Sequence, residues 1–426
     1  MYEMFRAASD FNQPLSGWNV SNVTNMNRMF ENATSFNQDL SNWCVTQIVS
    51  KPIDFDLNAS SWVLPQPLWG TCPGPNLFIS TWQIASPGDS ITLPLIGSGT
   101  YNFNVNWGDG SSSTITNDSA SHTYDDSGTY TVRIIGTIEG FNFGTIPTSK
   151  DNLSEILQWG CLRLEPTNND GHFYYCSNLV LTGVTDTLNL TNVYGLNGTF
   201  RGCGAITTIN NIEYWNTSNI TGLTSIFEST SFNQDINLWD VSSVIRMDLM
   251  FRFSLFDQPL SEWNVSNVTN MIGMFQGTPF NGDINNWDVS SLIYADSMFL
   301  NSNFQGPISS WNVSNVTSMN LMFSDCPFDS PLSNWERTSP DISSLSAVTD
   351  MGNMFYNNTN FNQDIGNWNV SNVSNMTWMF RNASSFNQDL SNWCVANILS
   401  EPSLFADGAT DWLGLPGTGP QWGTCP

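Results

Sequence analysis

Residue types that run acid–base and nucleophilic chemistry are scarce in this chain. It has two histidines, His122 and His172, fifty residues apart. His122 lies near Asp109, Asp125 and Asp126, which offers either an imidazole–carboxylate pair or a set of oxygen ligands for Ca²⁺. In 121-SHTYDD-126, however, the His sits where turn and strand signals meet, so a structural imidazole is the stronger reading. No Ser, His and Asp set and no Cys and His set is spaced to seat a nucleophile beside a base. Walker A and Rossmann glycine patterns are absent as well. The chain reads as a non-enzyme. Ca²⁺ on Asp109, Asp125 and Asp126 is the one cofactor its residues admit.

The eight cysteines divide into two sets. Cys44 and Cys72 lie in 43-WCV and 69-WGTCP, and Cys394 and Cys425 in 393-WCV and 422-WGTCP. The same pair at the end of two similar segments reads as a structural disulfide closing a capping loop. Without a CxxC, zinc has little support. Cys176, Cys203 and Cys326 each follow an aromatic anchor by three residues, where other coils carry Ala, Thr or Ser, so they read as small buried residues. A Cys176–Cys203 disulfide stays open, and Cys161 has no evident partner. Charge sets a further bound. The chain carries 37 Asp plus Glu against 11 Lys plus Arg, a formal net charge of -26. Such a surface repels phosphate backbones, which excludes nucleic acid as a partner. No apolar run reaches the length of a membrane span, so no membrane insertion is expected.

The elements that must position these residues follow a repeat. Trp239, Trp263, Trp287, Trp311 and Trp335 recur every 24 residues, and Trp368 follows after 33. Phe251, Phe275, Phe299 and Phe323 keep the same beat. These Trp and Phe residues are the expected core anchors. The longer step is an insertion near 336-ERTSPDISSLSA-347, read as a surface loop. Within a coil, L-x-x-W-x-V has the spacing of a short parallel strand, and V-x-x-M-x-x-M-F that of a helical turn. The fold expected for the array is therefore a repeat solenoid of leucine-rich-repeat type, with one short parallel β-strand and one helical turn per coil of about 24 residues. Asp39, Asp235, Asp283, Asp364 and Asp389 form a column three residues after the Phe anchors and read as Asx-turn partners.

A longer period lies above this one. Phe11, Trp18, Phe36 and Cys44 match Phe361, Trp368, Phe386 and Cys394 at an offset of 350. Residues 1–73 therefore read as the C-terminal end and cap of a preceding array. Residues 74–147 read as a β-sandwich, and 148–426 as the next array, capped by 394–426. The chain starts within a repeat, which suggests a piece of a longer polypeptide of tandem units, joined at a hinge in 73-PGPNLF-78.

Residues 75–147 lose the beat and alternate instead, as in 101-YNFNVNWGDGSSSTI and 129-TYTVRIIGTI. The segment 106-NWGDGSSSTITNDSASHTYDDSGTYTVRI-134 resembles a polycystic-kidney-disease (PKD) domain, through WGDG at Trp107 to Gly110, HTY at His122 to Tyr124 and GTYTV at Gly128 to Val132. That resemblance implies an all-β immunoglobulin-like sandwich. Coils such as 361-FNQDIGNWNVSNVSNMTWMF-380 resemble the surface repeats of BspA-like leucine-rich-repeat bacterial surface proteins. This second resemblance implies a secreted or cell-surface interaction protein and brings no catalytic residues.

Two functions fit these expectations. The first is an extracellular structural protein whose tandem units build a fibre, stalk or filament, with copies of itself or neighbouring units as partners. The alternative is a cell-surface adhesin that binds a host protein or glycan through the solenoid face.

Overall fold

The computed structural model describes all residues except 16, 17, 41, 42, 65, 68, 71–75, 166–170, 333, 334, 336, 340, 341, 344 and 413–416, with backbone alone at 337–339, 342 and 343. It divides into two compact units. One comprises Met1–Leu93, Gly97–Glu139 and Ile156–Leu162, and the other Pro94–Ile96, Gly140–Glu155 and Arg163–Pro426.

The alternating segment forms β1 (Phe78–Ile84), β2 (Ser90–Thr92), β3 (Leu95–Asn106), β4 (Ser112–Ile115), β5 (Ser121–Thr123) and β6 (Gly128–Phe141). Two more strands follow, β7 (Leu153–Gln158) and β8 (Leu162–Arg163). Period-two patterning decides which face is buried. In β1, Phe78, Ser80, Trp82 and Ile84 face inward. Across the antiparallel pairing with β6, Phe78 meets Ile134 and Trp82 meets Tyr130. The sheet runs β4-β3-β6-β1-β7, with β8 also on β6, and β2 and β5 pair separately.

The expected immunoglobulin-like sandwich is not what forms. One six-stranded sheet carries the segment beside a two-stranded ribbon, and no closed sheet occurs among the described residues. Two of its strands come from 153–163, a stretch read from sequence as the start of the next array. Their buried Leu153, Ile156 and Leu162 find their partner in this sheet. The insertion after Trp335 is likewise more than a loop: β9 (Arg337–Ser339) and β10 (Ile342–Ser343) pair as an antiparallel hairpin.

The expected leucine-rich-repeat-type solenoid, with a strand and a helical turn in each coil, is also overturned. Among the described residues there is no α-helix, and a 3-10 turn lies at Ile212–Tyr214. Parallel pairing between coils shrinks to one bridged residue each, through Gly222, Arg246, Asn270, Tyr294, Ser318, Asp350 and Asn375. The backbone explains why. In the coil containing Met247 to Ser254, Leu249 and Phe253 take left-handed conformations, φ 59 and 56. A left-handed residue every fourth position breaks the i to i−4 bonding of a helix. What remains are consecutive tight turns: Met250 N donates to Met247 O at 3.2 Å, and Ser254 N to Phe251 O at 2.9 Å. The alternation leaves every second N–H aimed along the stack. Met247, Leu249, Phe251 and Phe253 donate to the carbonyls of Asn270, Ile272, Met274 and Gln276 in the next coil at 2.8–3.0 Å. Gly273 and Gly277 hold the same left-handed positions one coil later, where the side chains of Leu249 and Phe253 fill the space a Cβ would need. The strand expected in L-x-x-W-x-V is lost to a similar turn, since Trp263 N donates to Leu260 O.

Spacing of three to four thus serves a turn ladder as well as a helix. The core is as the anchors predict. Trp239, Trp263, Trp287, Trp311, Trp335 and Trp368 are buried, as are Phe251, Phe275, Phe299 and Phe323. Phe251, Phe275, Phe299 and Phe323 stack at 5.7–5.8 Å. Trp263, Trp287 and Trp311 stack at 6.3–6.4 Å.

Candidate functional site

Asp109, Ser111 and His122 come together between the β3–β4 turn and β5. Asp109 sits in the turn between β3 and β4. Gly108 opens that turn with φ 91, and a Cβ there would lie 2.8 Å from Thr131 O, so only glycine fits. Asp109 Oδ1 accepts from Ser111 N at 2.8 Å and from Ser111 Oγ at 2.6 Å. Its Oδ2 lies 2.6 Å from His122 Nε2. The imidazole stacks on Trp107 at 5.0 Å and meets Tyr124 edge-on at 4.6 Å. Burial pulls the Asp109 carboxyl upward, but the bonds from Ser111 and His122 outweigh it and hold it below the usual carboxylate range.

The residue types are those of a nucleophile triad, but the arrangement differs. A proton relay needs the carboxylate and the hydroxyl on opposite imidazole nitrogens. Here Ser111 Oγ, at 3.3 Å, and Asp109 share the same Nε2. Such a cluster ties the β3–β4 turn to β5. Asp125 and Asp126 are exposed, and Tyr130 Oη donates to the backbone carbonyl of Asp126 at 2.9 Å. Among the described residues, no three His, Cys, Asp or Glu side chains gather in a way that could hold a metal ion.

His172 is buried in the second unit. Its Nδ1 lies 3.0 Å from Thr199 Oγ1, and the imidazole is buried. Burial lowers its pKa to about 4, against an opposing pull from Glu165. The imidazole is therefore neutral at pH 7.

Cys394 and Cys425 form the expected disulfide. Cys44 is disulfide-bonded too, while Cys72 lies outside the described residues. Cys176 and Cys203 are buried thiols with no disulfide between them, and burial pushes both well up. Cys203 Sγ donates to Phe173 O at 2.9 Å. Cys326, pushed up to about 11 by burial, donates to Phe304 O at 3.2 Å. Cys161 is buried and donates to Ile134 O at 3.4 Å. These thiols lack the electropositive, open setting of a reactive cysteine.

The polar columns hold the coils together. Asp235, Asp283, Asp364 and Asp389 each accept the backbone N–H two residues on at 2.8–3.0 Å, as Asx turns do. In the Asn-x-Ser-Asn run, the second Asn reaches back one coil: Asn267, Asn315 and Asn372 Nδ2 donate to Ser242, Ser290 and Ser346 O at 2.7–2.8 Å. Trp239, Trp263, Trp287 and Trp311 Nε1 donate to carbonyls 27 residues earlier at 2.9–3.1 Å. That crossing bond is invisible in the apolar pattern.

The two caps are built alike. Trp62 Nε1 donates to Gln38 O at 3.0 Å, and Trp412 Nε1 to Gln388 O at 2.9 Å. Gly70 N reaches Ile48 O at 2.8 Å, and Gly423 N reaches Ile398 O at 2.9 Å. Phe55 meets Trp69 edge-on at 4.8 Å, and Phe405 meets Trp422 at 5.0 Å. In the first unit the cap and the outer face of the sheet enclose a groove of about 490 Å³. Sequence reasoning missed this feature, because its two walls are far apart in the chain.

A family model described as "Mycoplasma protein of unknown function, DUF285" matches residues 1–61, 194–303, 280–344 and 340–412, more than half of the chain. No curated protein and no solved structure matches it.

Proposed function

We propose, for a chain that belongs to the DUF285 family, a mechanical role: an extracellular or cell-surface structural protein whose tandem units build a fibre, stalk or filament. The observation that carries this reading is the unbroken ladder between coils. It runs from Leu196, which donates to Gly222 O, to Asn382, which donates to Asp407 O. Each coil uses the same backbone positions to hold the next, so length is gained by adding coils without a new kind of interface. Two caps of one design, 350 residues apart, are what tandem units require. A disulfide at Cys394–Cys425 fits an oxidising compartment. The net charge of -26 keeps neighbouring surfaces hydrated and apart. Adhesion through aromatic columns draws no support, since the Trp and Phe columns are buried. Negative-stain imaging of the native protein is the test. A linear polymer with a regular repeat is expected, and isolated flexible beads would refute the reading.

A further inference from the structure

We infer that the groove of the first unit binds a sugar carrying a single carboxylate. The inference starts from Arg133 on β6. This guanidinium is 8% exposed, its Nε is buried without a partner, and it lines the groove. One bond holds it, from Nη1 to Thr131 O at 3.3 Å. No carboxylate among the described residues is within ion-pair distance, and Asp39 is the acid whose charge reaches it. An arginine remains cationic at any working pH. In a chain with a net charge of -26, most cations have an acid beside them; Arg6, Arg28, Lys51, Arg201, Arg246, Arg252 and Arg381 all do. A buried cation without one is set to receive an anion.

The rest of the lining describes the body attached to that anion. Trp62, Gln66, Asn106 and Thr131 line the same groove. A half-buried indole, two side-chain amides and a hydroxyl suit a hydroxyl-bearing ring better than an apolar ligand. Asn106 accepts from Gly108 N with Oδ1 at 2.9 Å, which leaves its amide N–H groups for a ligand. The volume, about 490 Å³, lies within the usual range for small-molecule sites. Asp109 also lines the groove and carries its charge. It can accept a sugar hydroxyl, and it repels a second negative charge. The acidic chain as a whole rejects polyanions for the same reason. Together these select one carboxylate, seated at Arg133, on an otherwise neutral polar body.

Isothermal titration of the full chain with D-glucuronic acid, D-glucose, N-acetylglycine and acetate tests this. Glucuronic acid should bind at least tenfold tighter than each of the other three. Arg133→Gln should weaken it at least tenfold with an unchanged circular dichroism spectrum. Should Arg133→Gln fail to fold, Asn106→Asp supplies the second test. An Asp there still accepts the Gly108 N–H and sets a negative charge against the ligand, so it too should weaken binding at least tenfold. The inference is overturned if glucuronic acid does not bind, or if acetate or N-acetylglycine binds as tightly, which would make this a simple anion or peptide-terminus site. It is also overturned if the folded variants bind like the parent.

Discussion

Replacing Trp287 or Trp368 by Phe removes the same atoms from the same column, yet the two changes should differ in cost. Trp287 is 2% exposed and Trp368 3%, and each stacks on a neighbouring indole, at 6.3 Å on Trp311 and 6.0 Å on Trp335. The packing lost is therefore nearly equal. The indole N–H differs. Trp287 Nε1 donates to Leu260 O at 3.0 Å, whereas Trp368 Nε1 is buried with no partner. Trp368 follows the coil that carries the extra residues, where the step between anchors is 33 instead of 24. Trp287→Phe loses one net hydrogen bond, about 1 kcal/mol. Leu260 O is not orphaned, because Trp263 N still donates to it. Trp368→Phe loses no bond and relieves an unpaired buried donor, a gain of about 1 kcal/mol or more. Trp287→Phe should therefore be the less stable by about 2 kcal/mol. Urea unfolding followed by far-UV circular dichroism measures the difference, with amide exchange in the two coils as a local check. Equal losses, or a greater loss at Trp368, would refute the assignment of the indole ladder as a stabilising bond.

Three further outcomes follow from the same geometry. Ser297, at φ 56, holds a left-handed position that Gly273 fills in the preceding coil, so Ser297→Gly should raise stability by about 1 kcal/mol and the β-branched Ser297→Val should lower it; thermal melts of the two variants read the sign. His172 is held neutral with a pKa of about 4, well below the unfolded value, so protonation favours the unfolded chain. Its burden is absent above about pH 6.5, grows as pH falls and is complete below about 4, reaching roughly 3 kcal/mol; His172→Gln should flatten the loss of stability between pH 7 and 4.5 by that portion in urea titrations. Cys425→Ser opens a loop with a sequence separation of 31 and should cost about 2–4 kcal/mol, read as a lower melting temperature that reductant does not lower through this pair.

Much of the array was legible without coordinates. The 24-residue beat of Trp and Phe marks the buried columns, because stacked coils must repeat their apolar residues in register. Asp235, Asp283, Asp364 and Asp389 were legible as Asx partners, since that bond is local. The Cys394–Cys425 pairing followed from its recurrence. The expected helical turn failed because V-x-x-M-x-x-M-F fits a helix and a turn ladder equally well. Residues such as Leu249, Phe253 and Leu321 give no hint of a left-handed backbone. The expected sandwich failed because alternation marks strands without assigning them to sheets, and β7 and β8 lie at 153–163, past the alternating segment. Asp109 and His122 were flagged as neighbours, but not that Ser111 and Asp109 would crowd one nitrogen.

The sequence by itself determined the period, the identity of the core and the excess of negative charge. These are properties of residue type and order, and every repeat states them again. Tertiary structure alone decided the sign of φ at each fourth residue, which is settled by the bond each N–H finds in the next coil. It also decided that Trp368 lacks the acceptor its counterparts have, and that Arg133 lies buried in a groove between a cap and a sheet. Those outcomes depend on which distant segments meet, and contact between distant segments leaves no local mark in the chain.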